Sequence, residues 1–112
     1  MSSRTQSFYG LVTFDANHSH ALINATLVEW GFERSSLHGI ALPENTFVGV
    51  FKKEVTISDA GNLVPSALAK VADDLSDYYR RNLKVLFDEE DIDGKVYVVF
   101  SWRTSTDDST SV

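Results

Sequence analysis

Phe8-Tyr9-Gly10-Leu11-Val12-Thr13-Phe14, closed by Asp15, is the stretch whose reading decides the fold. Apolar and β-branched residues dominate it, so it reads as a buried first strand with a carboxylate at its C-terminal tip. Asn17 follows as a helix-start signal. A strand that stops on Asp and turns into an amphipathic helix opens a β-α-β type of unit, and the remaining elements can be read as its cover.

From Asn17 to Trp30, the residues Ala21, Leu22, Ala25, Leu27, Val28 and Trp30 recur at spacings of three and four, which predicts helix one. Asn17 or Ser19 is its expected cap, and Gly31 stands where a left-handed residue ends a helix. Leu22, Ala25 and Val28 or Leu27 are its expected buried stripe. Glu33 to Ala41 reads as an irregular second strand, and Leu42-Pro43-Glu44-Asn45 as a turn. Thr46 to Lys52 is a third strand in which Gly49 leaves room for a bulky group. Glu54 to Asn62 either prolongs that strand or loops out. Helix two begins near Val64 and Pro65, with Leu68, Val71, Ala72, Leu75, Tyr78 and Tyr79 inward and Arg80 and Arg81 at its C-terminal end. Leu83 to Phe87 reads as strand four, Asp88 to Gly94 as an acidic hairpin connection, and Lys95 to Trp102 as strand five.

The fold class expected is therefore α+β: a ferredoxin-like β-α-β-β-α-β order with an additional C-terminal strand, two helices on one face of an antiparallel sheet. One domain spans 8–102, with 1–7 and 103–112 as disordered tails. The 33–45 and 53–63 stretches carry the weakest signals. The uncovered sheet face is expected to pair two subunits, with Phe47, Phe51, Tyr97 and Trp102 as interface residues.

A chain of 112 residues, 43% hydrophobic and 12% aromatic, is long enough for one core and too apolar for disorder. Without cysteine it has no disulfide and no thiolate chemistry. The reading is a cytoplasmic chain without a signal peptide or a transmembrane helix, its partners not a membrane. A formal net charge of -6 excludes a uniformly basic, nucleic-acid-coating surface. Asp15 is a candidate ligand for a divalent cation that activates water; the alternative is a helix cap. His18, His20 and His38 lack the spacing of a zinc site. Arg80, Arg81 and Lys84, with Lys52 and Lys53, are candidate phosphate contacts or plain solvated ends. Glu89, Glu90, Asp91 and Asp93 lack calcium-loop spacing.

Tyr9-Gly10-Leu11-Val12-Thr13-Phe14-Asp15, the helix ending Trp30-Gly31-Phe32-Glu33-Arg34, and Asn45-Thr46-Phe47-Val48-Gly49 carry a resemblance. Over residues 8 to 102 the chain resembles the superfamily of small ferredoxin-like proteins that includes the small subunit of the CRISPR adaptation complex, VapD-type ribonuclease toxins and GhoS-type antitoxin ribonucleases. That resemblance implies a homodimer in a toxin–antitoxin or defence setting. It also implies a metal-dependent endoribonuclease in which Asp15 is catalytic and holds Mg2+ or Mn2+ at the dimer axis. Arg80 and Arg81 would then bind RNA phosphates. Departures from the family pattern are the insert Lys53 to Leu63 and the acidic connection. The alternative function is a non-catalytic protein-interaction module, such as a phage- or plasmid-borne inhibitor or an antitoxin, acting through an acidic surface or an open sheet face.

Overall fold

The computed structural model describes residues 2–105 and Asp108. Its elements are β1 (Ser3–Ala16), α1 (His20–Glu29), β2 (Thr46–Thr56), α2 (Pro65–Glu89), β3 (Gly94–Trp102) and a short 3-10 turn at Arg103–Ser105. The fold is α+β, with a three-stranded antiparallel sheet ordered β2-β1-β3. Since both neighbours run against β1, β2 and β3 are parallel to each other, and α2 carries the chain from one to the other across β1.

The pleat of β1 divides its residues between two faces. Phe8, Gly10, Val12 and Phe14 lie on one, all buried. Directly opposite them stand Phe51, Gly49 and Phe47 of β2, and Trp102, Phe100, Val98 and Val96 of β3. This is the helix-covered face. Ile23 and Leu27 of α1 join Leu68, Leu75, Leu83 and Phe87 of α2 in the same buried cluster. A rise of 1.5 Å per residue makes α2 roughly 37 Å long, more than the roughly 30 Å of β3 against which it packs.

Gly10 and Gly49 are side by side on this face. A Cβ on Gly10 would collide with the ring of Phe100, and one on Gly49 would come within 2.8 Å of the ring of Phe51. The room expected at Gly49 is thus filled by an aromatic ring of its own strand. Phe32, Phe51, Tyr79 and Phe100 pack over this bay with centroids 4.9–6.3 Å apart. Burial, and secondarily the neighbouring Tyr78, pushes the Tyr79 phenol above its usual pKa.

Helix one ends as its sequence predicts. Gly31 takes φ 103, its N–H donates to the Val28 carbonyl, and Phe32 N–H donates to Leu27. That pair of bonds is the Schellman motif, and it folds Phe32 back onto the helix. Its start differs. The helix begins at His20, and Ser19 before it makes no side-chain cap. Asn17 instead ties the end of β1 to Asp93, accepting from Asp93 N at 3.0 Å through its side chain and donating to Asp93 O through its backbone. The buried stripe is Ile23 and Leu27; Leu22 and Val28 are 40% and 57% exposed.

The five-strand expectation is corrected to three. Leu83 to Phe87 is helical, because the Leu68, Leu75, Leu83, Phe87 series continues the spacing of one helix face past Tyr79. Arg80 and Arg81 are therefore well inside α2, not at its end. Glu33 to Ala41 forms only two isolated bridges, Glu33 to Val48 and Ser35 to Ala41. The alternatives at 54–62 are both partly realised: β2 runs to Thr56, and the chain then turns between Ile57 and Leu63, with Ser58 N donating to Asn62 O. At the other end, residues 3–7 are not a frayed tail but the start of β1, paired with 52–56. Backbone pairing needs no apolar side chain, and here polar ones add to it. Ser3 and Thr5 donate hydrogen bonds to Glu54, holding its carboxyl below the usual value. The tail expected at 103–112 falls largely outside the described residues. Among the described residues no helix is long and apolar enough to cross a membrane.

The burial pattern makes a direct prediction. Leu27→Ala should lower stability by about 2–5 kcal/mol, as a cavity under α1, while Leu22→Ala should change it by less than about 1 kcal/mol. Urea unfolding of both variants checks this; equal midpoints would contradict the stripe.

Candidate functional site

Asp15 is exposed and stands opposite Lys95 on β3. Its neighbour Phe14 points under the helices, so the pleat puts Asp15 on the other face of the sheet. It does not cap α1, whose N-cap residue is Ser19. The glycine at 94 is required here, because a Cβ would run into the Asp15 carbonyl.

The three histidines near or after this tip have separate partners. His18 bridges Ser19 Oγ at 2.7 Å and the Asp91 carbonyl at 2.9 Å, holding the left-handed residue that ends α2. His20 packs its ring against Phe14. His38 lies far along the chain, 4.0 Å from Asp108. Among the described residues no three His, Asp or Glu side chains gather as a metal site requires.

The basic residues of α2 are spread along its exposed surface. Arg80 Nη2 is 3.5 Å from Asp77, Arg81 Nε donates to the Asp77 carbonyl, and Lys84 is 3.2 Å from Asp88. Arg80 and Lys84, four residues apart, share one face; Arg81 is turned about 100° from Arg80. Lys52 and Lys53 are exposed on β2 and point to opposite faces of the sheet.

The residues expected at a subunit interface separate in the same way. Phe47 is fully buried under the helices, Phe51 belongs to the ring cluster, and Trp102 lies on that face too, its indole N–H donating to Gln6. Tyr97 alone of the four is on the open face, 60% exposed.

Alternation along the strands assigns Leu11, Val50 and Val99 to the open face with Tyr97. Val50 and Val99 are 44% and 41% exposed. Leu11 stands directly beside Val99, and Thr13 beside Tyr97. The signal for this strip was present in the sequence as pleat parity: every second residue out from Phe8, Val12 and Phe14.

One end of the open face is covered by the chain itself. Asp108 accepts hydrogen bonds from the Tyr9 hydroxyl at 3.0 Å and the Leu37 amide at 2.9 Å. Tyr9 is buried there. The 33–42 segment is braced internally by Ser36, whose Oγ accepts from the His38 and Ile40 amides. Val48, also on this face, is buried beside the Glu33 bridge. No pattern in the sequence pointed to the Tyr9–Asp108 pair, since the partners are 99 residues apart.

No family model, curated protein or solved structure matches the chain. Fold and site define a class by themselves: an α+β protein with one sheet face roofed by two helices and the other partly open.

The Asp108 contact carries a prediction. Asp108→Ala should speed amide exchange at Leu37, whose N–H loses its acceptor, and leave the exchange of Leu27 unchanged. Hydrogen exchange resolved by residue reads both sites; unchanged exchange at Leu37 would show that the contact does not persist in solution.

Proposed function

We infer that this protein is a non-catalytic interaction module that binds a protein partner through the open face of its sheet. The observation that carries this reading is the strip formed by half-buried Leu11 with exposed Val50, Tyr97 and Val99, on a face that the helices leave uncovered. Apolar side chains presented together on a rigid sheet, with polar residues around them, are the usual make-up of a recognition surface. An inhibitor or antitoxin acting by occlusion needs no more than this. The ferredoxin-like reading of the fold is retained within this proposal. It is supported by the Glu33–Val48 bridge on the outer edge of β2, the position that the second strand takes in the β-α-β-β-α-β order.

The test introduces a charge at one end of the strip, on β2 beside Tyr9. Cross-linking in the source cells, followed by identification of the captured proteins, should return a partner with the wild-type chain and lose it with Val50→Lys. Val50 is exposed on β2, so the substitution should change stability by less than about 1 kcal/mol. A partner retained by Val50→Lys would refute the reading.

A second reading, metal-dependent cleavage of RNA, is favoured by one observation: Asp15 is exposed on the open face and is not used as a helix cap. In it Asp15 holds Mg2+ or Mn2+, and Arg80 and Arg81 contact phosphates. Asp15→Asn keeps the size of the side chain and removes the charge that holds the ion. If this reading is right, the wild type cleaves RNA with magnesium or manganese, and cleavage falls at least about 100-fold with chelator and in the variant. Wild-type protein that leaves RNA intact would dismiss it.

A further inference from the structure

Lys53 is out of keeping with its side of the sheet. The residues that β2 turns toward the helices are Phe47, Gly49, Phe51, Lys53 and Val55, and Lys53 alone among them is charged. It is exposed there because α1 covers only part of β2. That helix ends at Glu29, Gly31 lies against Phe51, and the chain then turns back to pair Glu33 with Val48. Beyond Phe51 the helix that faces β2 is α2.

A cleft of about 500 Å³ remains between Lys53 and the flank of α2, walled by Val71, Leu75, Tyr78 and Tyr79. A hollow of about 120 Å³ adjoins it at the end of α1, where Trp30 and Asn82 join the same two tyrosines. Tyr79 is the floor: Tyr78 stands edge-on to it at 5.1 Å, and Trp30 leans on it at 5.8 Å. Tyr78 is 57% exposed, so its ring is offered to the cleft and not to the core. The Asn82 side-chain N–H donates to the Tyr78 carbonyl at 2.7 Å, which leaves its amide oxygen to accept. The two carboxylates that border the cleft are engaged. Asp74 accepts from Lys70 at 2.9 Å, and the Glu54 carboxylate is on the open face, held by Ser3 and Thr5. Lys53 has no carboxylate partner among the described residues, so the cleft offers a ligand one positive charge.

We propose that this cleft binds a small aromatic carboxylate, its ring between Tyr78 and Trp30 and its carboxylate on the Lys53 ammonium. An apolar pocket with a few fixed polar groups is the usual form of a small-molecule site. Ring against ring supplies the affinity, and the single ion pair sets the orientation. One positive charge matches a monocarboxylate. A phosphate dianion needs a second cation, and a cationic ligand would meet Lys53 with Asp74 already engaged. A ring N–H or hydroxyl on the ligand would donate to the Asn82 amide oxygen. The cleft is on the helix side of the sheet and shares no residue with the strip of Leu11, Val50, Tyr97 and Val99, so the two sites are tested separately.

The experiment is an NMR titration of the full chain with indole-3-acetate, and with indole-3-acetamide and tryptamine as its neutral and cationic counterparts. The chain has two tryptophans, so two indole N–H signals report, and Trp30→Phe assigns them. Trp102 borders a different cavity, between α2 and β3, and serves as the internal reference. The Trp30 signal should move with indole-3-acetate while that of Trp102 stays in place. The acid should bind more tightly than the amide, and tryptamine most weakly. Lys53→Gln should weaken the acid about tenfold and leave the amide unchanged, since only the ion pair is lost. Tyr78→Ala should weaken acid and amide alike. Lys53 and Tyr78 are both exposed, and the dispersion of the amide spectrum establishes that each variant is folded. A Trp30 signal that stays in place at millimolar indole-3-acetate overturns the proposal. So does a shift at Trp102 instead, tighter binding of tryptamine than of the acid, or acid binding indifferent to Lys53→Gln.

Discussion

The register that sets Gly10 against Gly49 is the constraint on which the structure depends. Two adjacent positions without a Cβ open a bay in the helix-facing side of the sheet. Phe51 and Phe100 lie across that bay, and Phe32 and Tyr79 close it from the helix side. Each ring pair adds about 0.5–1.5 kcal/mol beyond the area it buries. A slip of one residue would turn the rings to the solvent side and the open-face residues inward, so the cluster fixes the pairing of all three strands. The Schellman turn at Gly31 belongs to the same arrangement, because it delivers Phe32 to the cluster directly from the end of α1.

Once the bulky residues are committed to one face, the rest of the surface follows. The open face keeps shorter or amphipathic side chains: Leu11, Thr13, Val50, Val99 and the two tyrosines, Tyr9 and Tyr97. Tyr9 finds a partner in Asp108, and its end of the face is covered; Leu11, Val50, Val99 and Tyr97 are left. Function is then sought in what the fold presents. The buried aromatics are used in holding the sheet to the helices, and Phe47 has no surface to offer.

Several elements were legible in the residues alone. The first strand, the Gly31 helix end, the Pro65 start of α2, β2 and the final strand follow from local patterns that tertiary contacts reinforce. The reading of Leu83–Phe87 as a strand failed because a short apolar run is ambiguous over five residues and becomes helical only when its spacing is joined to Leu68 and Leu75. The stripe of α1 was misassigned for a related reason. Apolar residues lie all round that helix, so periodicity does not say which of them point inward, and packing selects Ile23 and Leu27. Asp15 stands near the C-terminal end of the first strand, where the residues place it, and among the described residues it neither caps α1 nor gathers with other side chains as a metal site requires.

By itself the sequence determined the α+β class, the absence of cysteine chemistry, the acidic balance, and the places where backbone conformation is dictated by a residue type, as at Gly31 and Pro65. These are local properties, governed by allowed dihedrals and by the period of apolar residues, and they need no knowledge of distant partners. Only the tertiary structure decided how many strands form, which face each aromatic takes, and that Asp108 meets Tyr9 across 99 residues. Those outcomes depend on pairing register and on packing between segments far apart in the chain. The free energies involved are sums over contacts that no single stretch of sequence contains.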